Sequence, residues 1–197
     1  MFKKLFLTTI LIVVSSVSFA GVDDSVSSQP LGEPLDGLSC QEITSGGAKN
    51  INLSNADPKL LASDPSRIVM GRASTCYSNE ISLLQSNLED LGIEVIVRSD
   101  AMSYAPGLRA GEPGQMVIDP DASYSAWLHE YQHAMDDKAI GWGGMRTLGD
   151  SDLRWQWEQN AYEEEMKLMN SLGYQSVVEQ LQRNLEAEKL KIYGETH

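Results

Sequence analysis

The sequence predicts an α+β domain with a small sheet. Two short runs read as strands: "IEVIVR", Ile93 to Arg98, and "QMVID", Gln115 to Asp119. Segments on both sides of them carry apolar residues at helical spacing. The predicted order is helix, two strands, then three helices.

The first helix rests on Ile81, Leu84, Leu88 and Leu91, and Gly92 stops it. Between the strands, "SYAPGLRAGEPG" is too rich in Gly and Pro for regular structure, and Pro120 ends the second strand. A second helix is predicted from about Ala122 to Asp137. The loop "GWGGMRTLGD" leads to a third near Asp152 to Leu172, capped by Asp150 or Ser151 and ended by Gly173. Val178, Leu181, Leu185 and Ile192 give the last helix its apolar stripe. Upstream, irregular structure is expected to about Arg72, punctuated by Asp57-Pro58 and Asp64-Pro65.

The chain opens with Lys3 and Lys4, a mostly apolar stretch from Leu5 to Val17, and small residues before Gly21. That is the plan of a secretory signal peptide over residues 1–20, too short and wrongly flanked for a stable membrane anchor. Gly21 in place of cysteine speaks against a lipoprotein. Residues 21–37 form a flexible leader poor in large apolar groups, and 38–197 form one domain. The expected location is outside the cytoplasm, periplasmic or extracellular.

The formal net charge is −13, and removal of the first twenty residues, with two lysines and no acids, leaves −15. Such a surface repels phosphate backbones and anionic lipid heads, which excludes nucleic acid as a default partner. Cys40 and Cys76 are the two cysteines. In an oxidising compartment they predict one disulfide, the alternative being two buried thiols.

The chemistry concentrates in "SAWLHEYQHAMDD", Ser125 to Asp137. On a helix, His129 and His133 lie one turn apart on one face and can address one ion. Zinc accepts neutral imidazole nitrogen and wants four ligands, one position staying open to water in catalytic sites. Glu130 projects beside that face, where it could take a proton from such a water. With three histidines in 197 residues, a chance His-Glu-x-x-His is expected in well under about 1% of such chains. Trp127, Leu128, Tyr131, Ala134 and Met135 give the helix apolar surfaces on both sides, as a buried helix requires.

A third ligand is needed. Asp136 and Ala139 stand where an extended motif would place Gly and His, and His197 ends the chain. A carboxylate is therefore expected, and Glu158 in "WEQNAYEEE" is the best placed. Ala161, one turn on, lets its helix approach closely, and Tyr162 shares the face. Asp136 or Asp137 could orient a ligand imidazole, and an ordinary exposed acidic helix end is an equal alternative. Glu163, Glu164 and Glu165 read as a solvated face, with the alternative that one of them replaces Glu158. Tyr162, then Tyr131 and Arg154, are candidates to stabilise an oxyanion. Trp142, Trp155 and Trp157 are core residues or groove walls.

His129-Glu130-x-x-His133 followed by Glu158-x-x-Ala161-Tyr162 resembles the zincin metallopeptidases whose third ligand is glutamate, the gluzincins. The resemblance spans roughly Met116 to Met169, with Tyr162 where several gluzincin families carry aspartate. It implies a zincin-like fold, its active-site helix packed against the C-terminal helices. It also implies a zinc endopeptidase acting on polypeptide, with "QMVID" as an edge strand aligning extended substrate. Two further readings stand beside it. One is a non-catalytic binding module, suggested by the small size, against which an intact Glu130 argues. The other is an exported metalloprotease toxin.

Overall fold

The computed structural model describes residues 40–41 and 51–194. The predicted signal peptide, the leader and His197 lie outside the described residues. Four short or medium helices come first: α1 (Pro58–Ser63), α2 (Arg67–Met70), α3 (Ala73–Cys76) and α4 (Ser78–Asp90). Strands β1 (Glu94–Val97), β2 (Ser103–Ala105) and β3 (Gln115–Ile118) follow. Helix α5 (Tyr124–Ala139), a 3₁₀ turn (Met145–Gly149), α6 (Ser151–Ser171) and α7 (Gln175–Gly194) complete the order. The class is α+β, as expected.

Three expectations need correction. Ahead of Arg72 the described chain carries two short helices, Pro58–Ser63 and Arg67–Met70, because each Asp-Pro step leads into a helix where a break was expected. Pro58 occupies the first turn of α1, where its missing N–H costs nothing, and the Asp57 side chain accepts from Lys59 N. Asp64 likewise accepts from the amide of Arg67, the first residue of α2, at 3.2 Å. Secondly, the Gly/Pro-rich loop contains β2. Thirdly, "QMVID" is no edge strand. The sheet order is β1-β3-β2, so β3 is central, parallel to β1 and antiparallel to β2. Met116, Val117 and Ile118 are buried accordingly. Gly114 makes this packing possible, since a Cβ there would stand 2.0 Å from the Ala105 carbonyl oxygen.

Helix boundaries follow local chemistry. Ser123 caps α5 by accepting from Ala126 N at 3.1 Å, which moves the predicted start from Ala122 to Tyr124. Of the two cap candidates for α6 it is Asp150 that accepts, from Leu153 N at 3.0 Å. Gly92 and Gly173 take positive φ, +77° and +80°, and turn the chain at the ends of α4 and α6.

The core has two parts. Ile81, Leu84, Leu88, Ile93, Met116, Ile118, Trp127 and Ala134 pack between α4, the sheet and α5. Val69, Met70, Met169, Tyr174, Val178 and Leu181 pack between α2, α6 and α7. Tyr124, at the start of α5, touches both parts and stacks on Tyr77 with centroids 4.7 Å apart. Cys40 and Cys76 form a disulfide. Among the described residues no helix is long and apolar enough to cross a membrane.

Candidate metal centre

Helices α5 and α6 place the site. Ala161 on α6 has no exposed surface, and its small side chain suits a close approach of the two helices. Between them, Nε2 of His129 and Nε2 of His133 stand 3.1 Å apart. Glu158 reaches across from α6, with one carboxylate oxygen 3.6 Å from His129 Nε2 and the other 3.6 Å from His133 Nε2. Three donor atoms thus lie within 4.8 Å of one another. A tetrahedral ion with bonds of 2.0–2.1 Å separates its ligands by about 3.3–3.4 Å. The observed spacings bracket that value, so this donor set fits zinc.

Electrostatics agree with the donor set. Burial works against charge on Glu158, but its contacts with His129 and His133, helped by Arg154, hold its pKa below the usual carboxylate range. It stands as an anion. Burial and the neighbouring His129 depress His133 to about 4, leaving that imidazole neutral. Burial also disfavours charge on His129, yet its hydrogen bonds to Glu158 and Glu165 outweigh this and raise it.

Glu130 sits beside the ligands with 8% of its surface exposed, and its Oε2 has no hydrogen-bond partner. Burial lifts its pKa to about 7, tempered by His129 and by the backbone amide of Tyr104 in β2, with Glu158 raising it further. A carboxyl poised near neutrality with an unused buried oxygen is the form a general base takes. A cavity of about 190 Å³ opens there, walled by His129, Glu130, Tyr162, Met102 and Leu181. Tyr162 meets the His129 ring edge-on, centroids 4.9 Å apart. Burial raises its pKa, so the phenol keeps its proton. A larger cavity of about 540 Å³ shares Ser63 and Met102 with the first but contains none of the histidines. Its carboxylates have partners, Asp100 pairing with Lys59 and Asp121 with Arg67 and Arg72.

Other expected residues fall elsewhere. Asp136 accepts from Gln132 and Asn160, and Asp137 from Tyr104 and Gly143 N; neither meets a histidine. Both hold helix ends and loops in place. Trp157 is buried, Trp142 packs on the core and Trp155 lies under Lys189, and none lines the cavity. Tyr131 also packs on the core. Glu163 and Glu164 face solvent and pair with Lys167, as expected of an acidic face.

Glu165 does not. It is 5% exposed, its Oε1 accepts from His129 Nδ1 at 2.9 Å, and its Oε2 accepts from Ser125 Oγ at 2.7 Å. A signal for it existed: Glu158 and Glu165 are seven residues apart, two helical turns, and share a face. Ser123, likewise unforeseen, anchors the site helix, its N–H and Oγ both donating to buried Asp64 at 2.8 and 2.6 Å.

No protein-family model matches the chain, and comparison with curated proteins and with solved structures finds no significant match to either.

Proposed function

We propose that this protein is an exported, zinc-dependent peptidase of zincin-like fold, acting on polypeptide in the periplasm or outside the cell. One observation carries the reading: two imidazole nitrogens and a carboxylate converge beside a buried glutamate oxygen that has no partner. His129, His133 and Glu158 hold the ion. When bound, it lowers the pKa of a water ligand to about 7 and polarises a carbonyl oxygen.

The chain's own groups do the rest. Glu130 Oε2 receives a proton as the water oxygen adds to the scissile carbonyl carbon, then returns it to the departing amine nitrogen. The C–N bond breaks, a C–O bond forms, and a carboxylate and an amine leave. Tyr162 donates from the cavity wall toward the oxygen that gains charge. Since β3 is paired on both sides, β1 and β2 are the edges, and β2 is the one beside Glu130 that would align substrate. Among the described residues it pairs only with β3, and its Tyr104 amide faces Glu130.

The test uses the purified protein with unfolded casein and a peptide library as substrates. About one zinc per chain and chelator-sensitive cleavage are expected. Glu130→Gln should keep the zinc and slow cleavage by roughly 10²–10⁴-fold. A fully active variant, or a folded wild type that takes up no metal, defeats the reading.

A further inference from the structure

Glu165 lies outside the three-donor set, yet it is among the most buried charged groups of the described chain. A glutamate is rarely buried unless every oxygen has a role. Here one oxygen meets His129 Nδ1 and the other Ser125 Oγ. Ser125 is itself fully buried and sits on α5, one turn before His129. The carboxylate therefore bridges two residues of α5 from a fixed point on α6. The two ligand histidines are not treated alike, since His133 Nδ1 is buried without any partner.

We propose that Ser125 and Glu165 form a positioning relay for His129, a role that rests on the metallopeptidase reading. A carboxylate can only accept, so the Nδ1 it faces must carry the hydrogen, which leaves the lone pair of that ring on Nε2. Nε2 is the atom that looks toward His133 and Glu158. Ser125 donates to the second oxygen and stops the carboxylate from rotating away. The orientation of the ring, and the nitrogen that keeps its hydrogen in the neutral ring, are thus set by one side chain. Tyr162, one turn before Glu165 on α6, takes the edge of the same ring and faces the cavity. Two adjacent turns of α6 thereby hold one ring, Tyr162 at its edge and Glu165 at its Nδ1, and both side chains line the cavity.

The experiment compares zinc affinity, by competition with a chromophoric chelator, for the wild type, Glu165→Gln and Ser125→Ala. It pairs this with ¹⁵N NMR of histidine-labelled, zinc-loaded protein, which reads which ring nitrogen carries hydrogen. Glu165→Gln keeps the shape of the side chain and removes its charge. It is expected to weaken zinc binding by roughly 10–100-fold and to shift the His129 Nδ1 resonance, with little change at His133. Ser125→Ala is expected to give a smaller loss, several-fold, and it carries the test where Glu165→Gln does not fold. Zinc affinity within twofold of wild type in a folded variant, with an unchanged His129 spectrum, overturns the relay alone. A wild type without zinc overturns the metallopeptidase reading, and the relay falls with it.

Discussion

At the scale of single residues, the candidate site was legible where helical spacing alone decides which side chains meet. His129, Glu130 and His133 needed only that their segment be helical, and Glu158 needed only a second helix brought close by Ala161. Asp64 was not legible, because its partners Ser123 N and Oγ are 59 residues away. Its burial raises its pKa to about 6, against 3.8 in the unfolded chain, with the nearby Glu165 charge adding to the effect. The folded state therefore holds the proton more tightly. Stability on the order of 3 kcal/mol is fully present below about pH 4 and lost as pH rises through about 6. Urea unfolding at pH 4.5 and 7 should show this fall, and Asp64→Asn should flatten it. An equal fall in the variant would assign the pH dependence to other carboxyls.

Elements were read with uneven success, and the reasons are physical. Helices α4, α5, α6 and α7 announced themselves because each is long enough to show apolar residues at helical spacing. Strand β2 has three residues, exists only through its pairing with β3, and carries no periodicity of its own. The central place of β3 could not be read from a lone "QMVID", since short buried strands look alike whether they have one neighbour or two. The contact between α5 and α6 is where the candidate site is most sensitive to a change of volume. Ala161→Leu is expected to destabilise the fold by about 1–3 kcal/mol through overpacking. It should also wedge Glu158 away from the histidines, so zinc uptake should fall while far-UV circular dichroism keeps its helical signal. Full zinc uptake by the folded variant would mean that the interhelical spacing does not set the site.

For the whole molecule, the segment before Arg72 is structural. Val69 and Met70 have no exposed surface, and Arg67 pairs with Asp121. The disulfide ties Cys40, upstream of this region, to Cys76 in α3, closing a span of 36 residues, and in the chain-entropy model contributes about 3–4 kcal/mol. A form starting at Arg72, without α1 and α2, should therefore not fold cooperatively. Thermal unfolding followed by circular dichroism checks this, and a sharp transition at the wild-type temperature would mean that α1 and α2 are dispensable.

The far wall of the cavity belongs to α7, where Leu181 borders the space and Asn184 Nδ2 donates to the Leu61 carbonyl at 2.8 Å, across 123 residues. On a ribosome that helix emerges after both α5 and α6. A growing chain released after Ser171 would already hold both histidines, Glu130, Glu158 and Glu165, yet it would lack the partners of Val69 and Met70 and one side of the cavity. Enclosure of the cavity thus waits on the emergence of α7, and a product terminated before it carries the motif without the enclosure.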